Sequence, residues 1–495
     1  MDEPVLFHLA GVRVGDGLAA ASASLRPALF ARFVDLTRLR YDFPLVLIEA
    51  PGDGPCVRPL SAIVDELLGQ VAQKGVAGDR LRRSVLRAER GIRGLLAAGQ
   101  GGTLSALWTR AAEAVISARG AEAAADLARA GASLTVDGEV IDCDENTPLR
   151  FVRHVWRSHQ ARRIAALRRR IDRASGRLAD LIVADIQRSG SGRRPERLRA
   201  AVGTPHRDLF DFDLMAHLLA KPSGPPALPP RRRHRIEETL VARRRGWSAI
   251  ADEALVFGSI DAALAAFRER RHAMAETARA LAVAELEVEG RYVEATHDGQ
   301  IGRSDEDWLT PEVLALFPDL LVRVDTRREA SAAVRAQLLE GLTSGAPLKM
   351  LFETDDAIGV DGQLATSAMG LGEVFVVQTP SAHLHRMAAA VTAAIAHSGP
   401  SLISVFTGVT DRGASPAYLV SAAALTSRAF PAFSYDPGAG PDWRHRFTLD
   451  GGPQPDRIWP TYAFSYAGSA RRRATAEVAF TVADPALCDP RRSAH

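Results

Sequence analysis

The stretch "LKMLFETDDAIGVDGQ" (Leu348–Gln363) begins as an apolar run and ends in a loop crowded with acids and glycines. A short, mostly apolar run bounded by turn residues reads as a strand buried on both faces, and "LKMLFE" (348–353) fits. Glu353, Asp355 and Asp356 surround Thr354, and Asp361, Gly362 and Gln363 follow. Oxygen ligands suit Mg2+, and glycines let backbone N–H groups approach a phosphate. The same residues also make ordinary turns.

Similar units lie on both sides. "LLVRVD" (320–325), "EVFVVQ" (373–378), "SLISVF" (401–406) and "FPAFSY" (430–435) read as strands. "REASAAVRAQLLEGLTSG", "SAHLHRMAAAVTAAIAHSG" and "SPAYLVSAAALTSRA" read as helices, with Ser381 and Ser415 as caps and Pro416 at the first helical position. Strand–helix alternation with short links predicts a doubly wound parallel sheet, whose ligands sit at the carboxyl ends of the strands. The acidic loop is at such an end.

Upstream the pattern differs. Residues 1–146 read as an α/β region. It has a buried strand in "FPLVLIEA" (43–50) and helical periodicity in 60–72, 79–99 and 104–131. A hairpin is expected in "SLTVDGEVIDCD" around Asp137-Gly138. Residues 147–290 read as helical and rich in arginine, with Phe151, Val155, Ile164, Leu167, Ile171, Leu178 and Leu181 largely at helical spacing. Linkers are expected at 189–196 and at the Pro/Gly-rich 221–235, and a second helical run at 236–290. Residues 291–480 form the alternating domain and 481–495 a tail. The fold class is therefore α/β: a C-terminal parallel sheet, a mostly helical middle region and an α/β N-terminal region. No solenoid repeat or heptad register is present.

Composition narrows the function. The chain is 46% hydrophobic and 24% charged, enough to bury large cores rather than stay disordered. A formal net charge of +3 gives little drive toward nucleic acid. Three distant cysteines, Cys56, Cys143 and Cys488, suggest a reduced, cytoplasmic setting. They also exclude an all-cysteine iron–sulfur cluster ligated by this chain alone. The start "MDEPVLFHLAG" lacks the basic and apolar regions of a signal peptide, and no apolar run suggests a membrane span.

Other polar groups read mainly as structure. His383 and His385, two apart, do not share a helical face, and His397 lies beyond them. His297-Asp298 precedes Gly299 and reads as a turn. The groups Arg168–Arg170, Arg231–Arg233 and Arg243–Arg245 read as solvated faces, with an acidic protein as the next reading. Gly99-Gln100-Gly101-Gly102 lacks the features of a P-loop. Gly15-Asp16-Gly17 and Gly52-Asp53-Gly54 read as turns.

Residues 320–460 resemble the thiamine-diphosphate domain of pyruvate:ferredoxin oxidoreductases and related 2-oxoacid:ferredoxin oxidoreductases. Glu353-Thr354-Asp355 and Gly362-Gln363 stand where that family has Asp-Thr-Glu and the end of Thr-Gly-Gly-Gln. "GEVFVVQTP" (372–380), "SGPSLISVFTG" (398–408) and "RAFPAFSYDP" (428–437) are similar to three further family segments, in the same order. Residues 1–290 carry no resemblance. There are departures as well. The family's Gly-Asp-Gly is replaced by "VRVDTRR" (322–328), which keeps Asp325 but puts Arg327 and Arg328 after it. The family's later Asn is Gly359, and Asn146 is the only asparagine in the chain. The cysteines of the adjacent cluster are missing.

The resemblance implies a cofactor-binding set of Asp325, Thr354, Asp356, Gly362 and Gln363, with Asp325 and Thr354 on Mg2+ and thiamine diphosphate as cofactor. It implies an oxidoreductase subunit acting on a 2-oxoacid with ferredoxin as acceptor. A partner subunit would carry the complementary domain or ferredoxin-like clusters. The departures suggest altered cofactor binding, or a non-catalytic relative that serves as a scaffold.

Overall fold

The structure is a computed structural model that describes residues 41–49, 54–189, 192–202, 209–219, 228–250, 255–326, 332–408, 417–449, 461–467, 473–479 and 481–482. Two compact units emerge. One takes residues 1–159, 256–263 and 320–495, and the other takes 160–255 and 264–319.

In the first unit, β1 (Leu45–Ile48), β2 (Val57–Pro59), β3 (Gly102–Thr103) and β4 (Gly138–Ile141) form an antiparallel sheet in the order β2-β1-β4-β3. Four helices follow the predicted periodicity: α1 (Leu60–Val71), α2 (Val76–Ala97), α3 (Leu104–Arg119) and α4 (Ala121–Ala132). Gly120, at a φ of 78°, separates the last two. Their apolar faces share a core that includes Leu60, Val85, Ile92, Leu107 and Val140.

The expected hairpin at Asp137-Gly138 does not form. β4 pairs with β1 and β3, and the residues before Asp137 are not a strand. Asp137 binds α3 instead: its carboxylate accepts from the Ser105 N–H at 2.9 Å and from the Ser105 hydroxyl at 2.5 Å. Gly138 is needed for contact rather than for a turn, because a Cβ there would meet the Leu47 carbonyl oxygen at 1.8 Å.

The second unit is helical. α5 (Thr147–Arg188) enters it, followed by α6 (Pro195–Ala201), α7 (Phe212–Leu219), α8 (Pro230–Ile250), α9 (Ile260–Val288), α10 (Glu294–Ile301), α11 (Asp305–Trp308) and α12 (Pro311–Leu314). Leu167, Ile171, Leu178, Ile236, Met274, Leu281 and Phe317 share its core. The predicted linker at 221–235 is helical from Pro230, and residues 221–227 lie outside the described residues. Many arginines are paired. Arg170 meets Glu285 through two bonds, at 2.5 and 2.8 Å, and Arg232 and Arg235 converge on the buried Glu287 at 2.7 Å each. The side chains of Arg243–Arg245 lie outside the described residues.

The C-terminal sheet belongs to the first unit. Its strands are β5 (Val256–Phe257), β6 (Leu320–Asp325), β7 (Leu348–Thr354), β8 (Phe375–Pro380), β9 (Ser401–Phe406), β10 (Phe433–Tyr435) and β11 (Phe447–Leu449), in the order β11-β10-β8-β9-β7-β6-β5. Strands β8, β9, β7, β6 and β5 run parallel. Every residue of β7, β8 and β9 is buried, as central parallel strands require. The helices between them are α13 (Ala332–Thr343), α14 (Leu364–Met369), α15 (Ala388–Ala396) and α16 (Ala417–Thr426).

Two corrections concern this sheet. β5 interrupts the helical run expected at 236–290. The predicted last strand, β10, is antiparallel: Phe433 pairs with Gln378, so the chain enters β10 at the carboxyl end of β8, and β11 then adds antiparallel to β10. The sheet is thus mixed, with a parallel core. A separate antiparallel ribbon joins β12 (Thr461–Ala467) to β13 (Arg473–Ala479). Among the described residues, no helix is long and apolar enough to cross a membrane.

Candidate functional site

The candidate site lies at the carboxyl ends of β6, β7 and β9. Strand register sets Asp325 opposite Glu353 and Thr354 opposite Phe406. One residue further on, the Thr326 N–H donates to the Glu353 carbonyl and the Thr407 N–H to the Thr354 carbonyl, each at 3.0 Å. Asp325 and Thr354 therefore do end neighbouring strands.

The loop after β7 is held by its own side chains. The Thr354 hydroxyl accepts from the Asp356 N–H at 3.0 Å, and the Asp356 carboxylate accepts from the Gly359 N–H at 2.8 Å. Short polar side chains close turns in this way. Asp361 is buried and pairs with Arg335 on α13 at 2.9 Å. Gly362 makes a close approach, since a Cβ there would meet the Ala357 carbonyl oxygen at 2.6 Å. Gln363 is exposed at the start of α14, and its N–H donates to the Val360 carbonyl. Asp325, Thr354 and Asp356 thus gather around the strand ends, while Gly362 and Gln363 stand at the far end of the loop.

Arg323 changes the electrostatics of this edge. Its Nε lies 2.5 Å from Glu353 Oε2, and one of its terminal nitrogens lies 3.2 Å from Asp325 Oδ2. Glu353 is fully buried, so its charge needs a partner. The guanidinium supplies one positive charge where a divalent cation would bring two. The Thr354 hydroxyl, fully buried, is turned onto its own chain. As arranged, this donor set does not fit a magnesium-bound diphosphate. Arg327 and Arg328, which follow Asp325 and Thr326 in sequence, lie outside the described residues.

Arg323 was not singled out in the sequence reading. Its signal was a lone charge inside the apolar run "LLVRVD". Lys349 gives the same signal in "LKMLFE" and has a structural use. It is fully buried, and its amine donates to the His397 and Gly399 carbonyls at 2.5 and 2.8 Å.

The remaining candidates are scattered. The ring centroids of His383 and His385 stand 6.4 Å apart, edge to face. His385 instead meets Asp42, at 3.4 Å, and the Tyr418 hydroxyl donates to the same carboxylate at 2.8 Å. Burial pushes His385 down to about 4 despite Asp42, so it is neutral near pH 7. Burial also pushes the Cys143 thiol up to about 12, against a weak contact with Ser381. His297 accepts from the Val293 N–H at 2.9 Å, and Asp298 accepts from Tyr292 at 2.6 Å, within α10 and the chain just before it. Gly99, at a φ of 74°, ends α2. The triplet at 15–17, and Gly52 and Asp53 of the other, lie outside the described residues. Among the described residues, no group of three or more His, Cys, Asp or Glu is placed to hold a metal ion.

No protein-family model matches the chain, and no curated protein matches it.

Proposed function

We propose that this chain is a subunit of a cytoplasmic 2-oxoacid:ferredoxin oxidoreductase-like complex, in which its thiamine-diphosphate-type domain serves assembly rather than catalysis. The observation that carries this reading is Arg323, bonded to both Glu353 and Asp325. A guanidinium between two carboxylates lowers the negative potential that draws in Mg2+. The turns around Thr354 and Asp356 already engage an oxygen of each, which supports this reading. Partner subunits would supply the complementary domain and the iron–sulfur clusters.

A second reading keeps the cofactor. Asp325 and Thr354 at the ends of adjacent parallel strands favour it, because ligands of such sheets bind there. Calorimetric titration of the full chain with thiamine diphosphate and Mg2+, alone and with copurifying partners, separates the two. The assembly reading expects no saturable heat at millimolar cofactor. A one-site isotherm overturns it in favour of the cofactor reading.

A further inference from the structure

We propose that the solvent face of α5 is a docking surface for double-stranded nucleic acid, held through its phosphates without reading its sequence. This inference goes beyond the reading of the C-terminal sheet and does not depend on it.

The helix has two unlike sides within the second unit. Leu167, Ile171, Ala174 and Leu178 face its core. At 3.6 residues per turn, Arg162, Arg169, Arg173 and Arg177 fall within about 80° of one another on the opposite side. All four are exposed. The stripe they form is about 22 Å long at the helical rise.

Little acid offsets this stripe. α5 holds eleven arginines, three aspartates and neither lysine nor glutamate, so the small net charge of the whole chain does not describe this helix. The arginines beside the stripe are engaged: Arg163 with Asp319 at 2.6 Å, Arg168 with Asp172 at 3.9 Å and Arg170 with Glu285 at 2.5 Å. Asp185 is buried and meets Arg233 at 3.3 Å. That leaves Asp180, exposed at the far end of the stripe, as the helix's one other acid. Among the described residues, Arg169, Arg173 and Arg177 make no ion pair.

The residues between the arginines select the occupant. On this side they are Ala165, Ala166 and Gly176, with none of the large apolar anchors that carry protein–protein interfaces. Residues 157–188 contain no Phe, Tyr or Trp on which the bases of a single strand would stack. A duplex backbone needs neither. Each of its strands carries one charge per about 3.4 Å of axis, so the stripe faces about six phosphates of a strand. Guanidinium groups suit that contact, since their fork of donors matches phosphate oxygens.

The test is fluorescence anisotropy, with the full chain titrated onto short labelled DNA and RNA duplexes of one sequence and onto a single strand. The expected result is saturable micromolar binding to at least one duplex at about 50 mM salt, with log affinity falling against log salt at a slope of about −3 to −4. A duplex of scrambled sequence binds equally. The triple variant Arg169→Gln, Arg173→Gln, Arg177→Gln weakens binding by at least about tenfold and reduces the slope by about 3. The same three positions changed to Lys keep most of the binding, which separates lost charge from a disturbed helix. Arg82→Gln, Arg90→Gln, Arg119→Gln is the control, with the same charge change at exposed arginines of the first unit, and it binds like wild type. The proposal is overturned by no saturable duplex binding at low salt, by unchanged binding in the stripe variant, or by equal loss in the control. Tighter binding of the single strand than of either duplex also overturns it. So does equal displacement by polyglutamate of matched charge, which would assign the surface to an acidic protein.

Discussion

Arg323 and Glu353 face each other across two neighbouring parallel strands, Nε to Oε2 at 2.5 Å, with the glutamate wholly buried. A buried carboxylate that loses a close cationic partner is left costly. Arg323→Met should therefore destabilise the chain by about 2–4 kcal/mol, somewhat less than a fully buried pair because the arginine is partly exposed. The double variant Arg323→Met with Glu353→Met should recover most of the loss. Urea unfolding of both variants checks this. Equal losses in single and double variants would contradict it.

Acid should weaken the packing around His385. In the unfolded chain this group titrates near 6.5, and in the fold burial takes it to about 4, with Asp42 offsetting only part. Between those values the unfolded chain holds more protons, so stability rises with pH across the window and is complete above it. The full span is worth about 3 kcal/mol. Urea midpoints from pH 4.5 to 7 should climb in the wild type and climb less steeply in His385→Gln, where the partly buried His154 and His397 still contribute. Parallel profiles would refute the assignment.

Gly408 follows β9 at a φ of 72°, and a Cβ there would meet the Ala417 carbonyl oxygen at 2.4 Å. Gly408→Ala should cost about 2 kcal/mol or more, combining left-handed strain with a backbone clash. Gly290→Ala is the comparison, with a similar φ of 66° but open space around it. It should cost about 1 kcal/mol. Thermal unfolding of the two variants gives the order directly.

The loop after β7 should depend on Arg335. Its bond to the buried Asp361 ties that loop to α13. Arg335→Ala should speed amide hydrogen exchange in residues 355–363 while leaving β7 protected. Unchanged exchange in the loop would show that its own turns suffice.

Most of the C-terminal fold was legible because parallel core strands are nearly pure apolar runs. "SLISVF" and "LLVRVD" could hardly be anything else. β5 was hidden because two residues carry no periodicity. β10 read correctly as a strand, but its direction depends on where the chain re-enters the sheet, which no local pattern encodes. Asp137-Gly138 has hairpin chemistry, yet Asp137 serves α3 and Gly138 serves the close approach of β1. At the candidate site, the positions of Asp325 and Thr354 at adjacent strand ends followed from the alternation. The use of their polar atoms did not, because Arg323 reaches Glu353 only through strand register, across thirty positions of sequence.

The central claim is that Arg323 takes the place of a divalent cation. The most direct measurement follows free Mn2+ by its paramagnetic resonance signal during titration into the wild-type chain and into Arg323→Gln, with thiamine diphosphate present. The account predicts that the wild type leaves Mn2+ free at millimolar concentration, while Arg323→Gln removes it from solution and gains thermal stability with it. Stoichiometric depletion of Mn2+ by the wild-type chain, lost in Asp325→Ala, would contradict it.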